Sequence, residues 1–250
     1  MKQLLLTGLS GTLGPKVAEQ FKSRGWEVIA WDHHQHNPDD EQAREAFWQQ
    51  HQIDAVCHLA MGSEAWAGWL AKKAKQQQIP YLYSSTAMVF SHKNDGPYDI
   101  THPRDGEDEY ALYKIGCEDT IWRNNPNAMI ARIGWQFHPN AKGNNMIDQL
   151  DAQHRENGVI EASTLWYPAT SHMSDTSIAF LQLIERNEPG LYHLDSNLNS
   201  KLSFFELVTL INKRYDKEWQ IKVCTKHQHD QRLSDQRIAL PSLTIQLGEL

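Results

Sequence analysis

Short apolar runs alternate with amphipathic segments along the first two-thirds of the chain. A run of three leucines predicts a buried first strand over 2–6, and it ends in a turn that contains glycine. A helix is then predicted over 13–24, because Val17, Ala18 and Phe21 recur on one face. Strand, turn and helix in this order are typical of a parallel sheet that is covered on both faces.

The same alternation predicts the other elements. Beyond residue 135 the period loosens, Asp175 is expected to cap the helix that follows it, and the last fifteen residues show no clear period. The sequence predicts an α/β, Rossmann-like, doubly wound parallel sheet with a small C-terminal lobe. Strands are expected over 26–31, 53–60, 81–85, 128–135, 191–194 and 219–223, and helices over 39–50, 65–78, 109–123, 176–186 and 204–215.

Composition narrows the class of protein. The 250 residues, 40% hydrophobic and 22% charged, suffice for one large domain or for a domain with a small lobe. A net charge of −7 argues against a nucleic-acid-binding surface, and three widely spaced cysteines predict no disulfide framework. No stretch has the length that a membrane span requires. We therefore expect a cytoplasmic protein with neither a nucleic acid nor a membrane as partner.

The glycine turn is the first candidate binding site. Gly8, Gly11 and Gly14 follow the spacing Gly-x-x-Gly-x-x-Gly between the first strand and the first helix. Such a turn presents backbone N–H groups to a pyrophosphate, with Gly14 letting the helix pack on the strand. Asp32 ends the second strand, where a carboxylate accepts hydrogen bonds from ribose hydroxyls and repels a 2′-phosphate, which favours NAD over NADP. A tight turn without a ligand, followed by a loop carboxylate, is the alternative.

Two further patterns could carry chemistry. Tyr110 and Lys114 lie four residues apart and share a helix face, where the ammonium would lower the pKa of the phenol. Ser85 and Thr86 follow an apolar strand at its carboxyl end, where ligands bind in open α/β sheets. A hydroxyl there could steady a developing alkoxide. Taken singly, the Tyr-x-x-x-Lys pattern usually marks a solvated helix face, and a serine-rich strand end that only caps the next turn is an equally good interpretation of Ser85 and Thr86.

Histidine and tryptophan are frequent but define no site. Trp66 and Trp69 are expected to pack in the core. Two tracts in polar segments are rich in histidine, and we predict a metal site in neither. These tracts are His33, His34 and His36, and His227 with His229.

The order of these patterns resembles the extended short-chain dehydrogenase/reductases of the NAD-dependent epimerase/dehydratase superfamily. Glycine turn, strand-end aspartate, Ser/Thr cluster and Tyr-x-x-x-Lys follow one another within one alternating segment. The chain is most similar to the dTDP-4-dehydrorhamnose reductase (RmlD-like) branch, over about residues 2–215. The stretches that carry the likeness further are 85–90, 96–98, 110–118, 131–137, 172–175 and 190–194.

The resemblance implies an oxidoreductase that uses NAD or NADP on a keto or hydroxyl carbon of a sugar or sugar nucleotide. Tyr110 would be the general acid/base, Lys114 would bind the nicotinamide ribose and tune Tyr110, and Thr86 would orient the substrate carbonyl, with Ser85 as the adjacent candidate. Met88 and Trp135 would contact the substrate. Cofactor contacts are implied for Gly8, Ser10, Gly11, Thr12, Leu13, Gly14, Asp32, Leu59, Ala60, Met61, Tyr110, Lys114 and Ile133.

The resemblance also implies the domain organisation. Residues 1–135 would form the NAD(P)-binding domain and 136–250 mainly the substrate-binding region, with about 170–195 returning to the sheet. The segments after Asp32 and Ala60 are shorter than in the family, so we expect one strand to be lost and a helix of the family's dimer interface to be trimmed. The resemblance is compatible with a homodimer as well as with a monomer.

Other functions stay open on the sequence alone. The family usually has Asp-Tyr after the catalytic threonine, whereas this chain has Ala87 and Met88, so specificity for a dTDP-hexose does not follow. One alternative is a sugar-nucleotide epimerase or dehydratase, which would regenerate its cofactor within each cycle. The other is a dinucleotide-binding regulatory subunit without chemistry.

Overall fold

The computed structural model describes residues 1–93 and 95–249. The strands are β1 (Gln3–Thr7), β2 (Glu27–Ala30), β3 (Ala55–His58), β4 (Tyr81–Thr86), β5 (Met129–Ile133), β6 (Trp135–Phe137), β7 (Ile160–Ser163), β8 (Trp166–Tyr167), β9 (Thr170–His172), β10 (Gly190–Leu194), β11 (Ile221–Cys224) and β12 (His229–Asp230). The α-helices are α1 (Gly14–Ser23), α2 (Glu41–Gln50), α3 (Glu64–Gln77), α4 (Glu109–Asn124), α5 (Met146–Asn157), α6 (Met173–Arg186), α7 (Asn197–Ser200), α8 (Phe204–Arg214) and α9 (Leu243–Leu247).

The central sheet is parallel and doubly wound, which confirms the predicted fold class. Among the described residues it has six strands in the order β10-β5-β4-β3-β1-β2. The chain moves outward from β1 to β2, then crosses back to place β3 on the other side of β1. Ligands bind at such a switch point, beyond the carboxyl ends of the strands. With β2 at the edge, a single strand lies on that side of β1.

Both faces of the sheet are covered, and the three leucines of β1 show why their run is continuous. Leu4 and Leu6 lie in one core cluster with α1 and α6, whereas Leu5 lies in the other with α3 and α4. Successive side chains of a strand point to opposite faces, so a strand that is buried on both sides needs no polar alternation. Trp66 is buried in the second cluster and Trp69 packs against it, as the sequence predicts.

The C-terminal lobe has a core of its own, built from α5, α8, α9 and short parallel strand pairs. These pairs are β6 with β9, β7 with β11 and β8 with β12. Between its segments the chain returns to the central sheet, where β10 pairs with β5 and α6 packs beside α1. Neither α9 nor the pairing of β11 outside the central sheet was apparent from the sequence.

The predicted strand over 128–135 is two strands separated at Gly134. A Cβ at this position would lie 2.0 Å from the carbonyl oxygen of Ala169, so only glycine allows the two backbones to meet. The N–H of Trp135 donates to the same oxygen at 2.8 Å. The break at Gly134 therefore turns Trp135 and the following residues out of the central sheet and into the lobe.

The prediction that Asp175 caps α6 is wrong. The N-cap is His172, whose Nδ1 accepts from the N–H of Ser174 at 3.4 Å. Asp175 lies inside the first turn and is buried, where it accepts from Nε2 of Gln246 at 3.2 Å. Imidazole nitrogen can serve as a cap acceptor, but it is not among the usual sequence signals for a helix start.

No helix among residues 1–93 and 95–249 combines the length and apolar character needed to cross a membrane.

Candidate active site

A cavity of about 1500 Å³ runs along the carboxyl ends of the sheet strands. It begins at the turn after β1, passes the ends of β3 and β4, and reaches the junction of the sheet with the lobe. Every residue that the sequence predicts for the catalytic, cofactor and substrate contacts lines this one cavity. The geometry therefore brings together motifs that are more than a hundred residues apart in the chain.

The glycine turn is shaped by close backbone approaches. Gly8 has a φ of +76°, and a Cβ on it would lie 2.9 Å from the amide nitrogen of Ala60. A Cβ on Gly14 would lie 2.2 Å from the carbonyl oxygen of Gly8 and 2.7 Å from Cα of Leu9. The role of Gly14 thus differs from the prediction, because it lets α1 begin against the turn itself rather than pack on β1.

The N-terminus of α1 is suited to an anion. Its N-cap is Leu13, whose side chain caps no N–H group, and the first turn carries Pro15 and no acidic residue. The first N–H groups of a helix have no partner within the helix, and the helix dipole adds partial positive charge there. Leu13 and Gly14 line the cavity, so a pyrophosphate in it would face this helix end.

A buried hydroxyl and imidazole hold the next wall of the cavity in place. The Thr7 hydroxyl accepts from the N–H groups of Leu59 and Ala60, at 3.0 and 3.1 Å. It therefore donates its own proton to Nδ1 of His58, 2.7 Å away. Burial, together with the charge of Lys114, lowers the pKa of His58 to about 3, so the imidazole is neutral and can accept. This arrangement fixes the segment that Gly8 approaches.

Asp32 lines the cavity just beyond the end of the edge strand β2. Asp32 is on the same side of the cavity as the glycine turn, because β2 lies beside β1. Its Oδ1 accepts from the N–H of His34 at 2.9 Å, and its carbonyl accepts from the N–H of His36 at 2.9 Å. His33 and His34 also line the cavity. Among the lining residues, all of which are described, Asp32 is the one carboxylate and Lys114 the one lysine or arginine. No group of three or more candidate metal ligands occurs among the described residues.

Lys114 is held below the carboxyl end of β4. Its Nζ donates to the carbonyl of Ser84 at 2.9 Å and lies 4.6 Å from the ring centre of Tyr83 and 5.9 Å from that of Tyr110. Only 3% of the residue is exposed. Burial lowers the pKa of Lys114 to about 8, and the nearby Cys117 and Glu118 oppose the shift in part. The ammonium is therefore a poorly solvated cation that a ligand with hydroxyl groups would satisfy.

Tyr110 stands on α4 one turn before Lys114 and is 38% exposed to the cavity side. Its pKa lies above the ordinary value because burial outweighs a hydrogen bond with the Thr86 hydroxyl, which lowers it, while Asp108 raises it further. The sequence predicts a lowered pKa, caused by Lys114. The direction differs because burial dominates the pKa of Tyr110, while the Lys114 ammonium donates to the Ser84 carbonyl rather than to the phenol.

Ser85 and Thr86 have different environments although they are neighbours. The Ser85 hydroxyl is buried and donates to Oε1 of Glu118 at 2.5 Å. The other carboxylate oxygen of Glu118 accepts from the Arg132 guanidinium at 2.7 Å, which forms an ion pair. Successive residues of β4 point to opposite faces of the sheet. Thr86 accepts from the N–H of Met88 at 3.1 Å. Of the two hydroxyls, that of Thr86 is the one available to Tyr110 and to a ligand.

Several lining residues escaped the sequence reasoning. Trp31 could have been found, because it ends the predicted second strand directly before Asp32. Those from the lobe had no local signal, since packing between the sheet and the lobe brings them to the cavity. The unassigned polar or aromatic lining residues are Trp31, His33, His34, Asn37, Trp66, Ser84, Gln136, Asn144, Trp166 and Gln231.

Fold and cavity together define the extended short-chain dehydrogenase/reductase class. Within that class the chain belongs to the RmlD substrate binding domain family, whose model matches residues 1–65 and 63–238. The family resemblance expected from the sequence is thereby confirmed.

Individual relatives are distant. The spore coat polysaccharide biosynthesis protein SpsK of Bacillus subtilis (strain 168) is 22% identical over 245 residues, which cover 92% of this chain and 85% of SpsK. The dTDP-4-dehydrorhamnose reductase of Bacillus anthracis str. Ames, solved in complex with NADP, superposes with a TM-score of 0.83 at 16% identity and covers 99% of this chain and 98% of its own. WbmH of Bordetella bronchiseptica, solved with NAD+, gives a TM-score of 0.73 at 19% identity, covering 100% of this chain and 93% of its own. At these identities the structural likeness shows a shared fold.

Proposed function

We propose that the protein is an NAD(P)-dependent oxidoreductase that acts on a keto or hydroxyl carbon of a sugar or sugar nucleotide. The observation that carries this proposal is the convergence of Thr86, Tyr110 and Lys114 on one cavity whose far end is the glycine turn and Asp32. Membership of the RmlD substrate binding domain family supports it. The bound NADP and NAD+ of the two related structures support the choice of cofactor.

The residues present fit a nicotinamide dinucleotide. Gly8 and Gly14 have no side chains at the two points where the turn closely approaches neighbouring backbone. The N-terminus of α1, which no side chain caps, faces the cavity. Leu59, Ala60 and Met61 would flank the adenosine half, and Ile133 the nicotinamide half. When bound, the cofactor supplies or accepts hydride at nicotinamide C4.

The second strand's carboxylate favours NAD over NADP in this proposal. Asp32 would accept hydrogen bonds from the ribose hydroxyls and would repel a 2′-phosphate. No lysine or arginine is among the residues that line this end of the cavity, all of which the structure describes. A 2′-phosphate would therefore lack a counter-charge there.

Tyr110 would move the proton. Its raised pKa keeps the phenol protonated at neutral pH, which suits a group that donates to the substrate oxygen as a ketone is reduced. Thr86 would hydrogen-bond the same oxygen and steady the charge that develops on it. The Lys114 ammonium would hold the nicotinamide ribose and keep positive charge near the phenol.

The cavity lining supports a net oxidoreductase over a dehydratase. A dehydratase of this class would be expected to carry an acidic pair beside Thr86. Ala87 and Met88 occupy those positions and line the cavity, and Met88 is 41% exposed. The side chain that replaces the family's usual tyrosine is thus apolar and faces the substrate space.

The test is the replacement Tyr110→Phe. It removes the phenolic proton and little else, so we expect turnover to fall by a factor on the order of 1000 or more while NADH affinity stays within about threefold. Steady-state NADH oxidation over a panel of keto sugars and nucleotide sugars, with calorimetric NADH binding, measures both quantities.

Tyr113→Phe is the control, because it makes the same change on the same helix outside the lining. Its hydroxyl accepts from the N–H of Gly62 at 3.0 Å, so a small change in cofactor affinity is the most that it should cause. Turnover that survives Tyr110→Phe would contradict the proposed chemistry.

A further inference from the structure

A second cleft, of about 410 Å³, lies along α5 beside the catalytic cavity. Trp135 and Asn144 line both spaces, so the cleft adjoins the catalytic cavity, and the N–H of Asn144 donates to the Thr12 hydroxyl at 2.8 Å. Gln149, Gln153 and Glu156 form its wall, and Asn157 closes it at the end of the helix. None of these residues belongs to the site described above except the two at the junction.

The spacing of the wall residues makes this face of α5 distinct. Gln149, Gln153, Glu156 and Asn157 recur at helical intervals on one side. None of their side chains has a hydrogen-bond partner among the described residues. By contrast, Asp151 on the same helix accepts from Nε1 of Trp219 at 2.8 Å. The amide face is therefore presented to the cleft, whereas the neighbouring polar side chain is used to hold the lobe together.

Trp135 provides a fixed aromatic surface at the junction. Its ring is nearly parallel to that of Phe204, at an interplanar angle of 15° and a centroid distance of 6.4 Å. Phe204 in turn contacts Trp166, with centroids 4.5 Å apart. An indole held in this way needs little ordering before it can carry the apolar C–H face of a sugar ring.

The charge of the cleft argues against a phosphate. Its lining includes Glu156 and, among residues that are all described, no lysine or arginine. The cleft also runs toward the C-terminal end of α5, where the helix dipole is negative. Arginine, lysine and helix N-termini are the groups that bind phosphate.

We propose that this cleft binds a neutral carbohydrate unit attached beyond the sugar that reacts. Side-chain amides offer a donor and an acceptor in one plane, and the carboxylate of Glu156 accepts two hydrogen bonds, which matches pairs of neighbouring hydroxyls. Asn144 and Trp135 connect this unit to the catalytic cavity. The inference rests on the proposed function only in taking a sugar as the reacting group.

The test uses neutral disaccharides of different stereochemistry, such as cellobiose, maltose and lactose, with glucose for comparison. Binding to the full chain with NADH present is followed by calorimetry and by saturation-transfer NMR. We expect at least one disaccharide to bind about tenfold more tightly than glucose, and Gln149→Ala/Gln153→Ala to remove that advantage.

Arg155→Ala is the control, because Arg155 is exposed on the same helix but does not line the cleft. It should leave disaccharide affinity unchanged. The inference is overturned if no disaccharide binds better than glucose, if both variants lose affinity equally, or if thymidine diphosphate rather than a disaccharide depends on Gln149 and Gln153. Since binding is measured without turnover, an inactive but disaccharide-binding protein would contradict the proposed function alone.

Discussion

The cofactor half of the cavity and the C-terminal lobe differ in how far apart their partners lie in sequence. The glycine turn is a single continuous segment, and Tyr110 and Lys114 are one helical turn apart. In the lobe, β7 pairs with β11 and β8 with β12, so each contact joins segments separated by dozens of residues. Chemistry carried by local motifs can therefore be found from sequence, whereas a binding surface assembled from distant strands cannot.

The largest effect should come from the glycine turn. Gly14→Ala would place a Cβ 2.2 Å from the Gly8 carbonyl oxygen and 2.7 Å from Cα of Leu9, and both of these backbone atoms are unable to swing away. We expect NADH affinity to fall about 100-fold or more, with the lobe's disaccharide binding retained. Calorimetry with each ligand measures the two halves separately.

Gly25→Ala is the matched control for that variant. Gly25 ends the turn after α1 with a φ of +79°, and a Cβ there would meet nothing within 4 Å. It should cost about 1 kcal/mol of unfolding free energy and leave NADH affinity intact. Equal losses of NADH affinity in both variants would mean that Gly14 acts through stability rather than through the shape of the turn.

Substitutions at Thr86 and Ser85 distinguish a role in the reaction from a role in the stability of the fold. Thr86→Val keeps the shape and removes the hydroxyl, so we expect kcat to fall about 100-fold. Ser85→Ala removes one hydrogen bond to Glu118, which should lower the unfolding free energy by about 1 kcal/mol and leave kcat within about threefold. Steady-state kinetics and chemical denaturation of both variants provide the measurement, and a larger kcat loss in Ser85→Ala would reverse the assignment.

The smallest effect concerns the choice of cofactor. Asp32→Asn keeps the side-chain size and removes the charge, so the ratio of kcat/KM for NADPH to that for NADH should rise about tenfold. Glu27→Gln makes the same change at the other end of β2, where Glu27 accepts from Nε2 of Gln3. It should leave the ratio unchanged, and an unchanged ratio in Asp32→Asn would remove Asp32 from cofactor selection.

Much of the sheet was predictable because its residues satisfy short-range rules. The apolar run of three leucines in β1 is uninterrupted because both faces of this strand are buried. Thr86 and Asp32 lie at or just beyond the ends of strands. The placement of every predicted contact on one cavity follows from parallel strands sharing one carboxyl edge.

What the sequence missed depends on three-dimensional surroundings. The Ser85 hydroxyl is diverted by Glu118, and the pKa of Tyr110 is raised by burial, neither of which helix spacing reveals. The cap of α6 is an imidazole rather than Asp175. The predicted strand is interrupted at Gly134 because Ala169, from a distant segment, approaches its backbone closely.

Transfer of deuterium shows directly whether a substrate carbonyl held by Thr86 receives hydride from the nicotinamide and a proton from Tyr110. The protein would be given NADH with both hydrogens on nicotinamide C4 replaced by deuterium, together with a keto sugar, with Tyr110→Phe in parallel, and the products analysed by NMR and mass spectrometry. We expect one deuterium on the new carbinol carbon and one NAD+ formed for each product, and neither with Tyr110→Phe. Product that forms without deuterium, or without net loss of NADH, would contradict this mechanism.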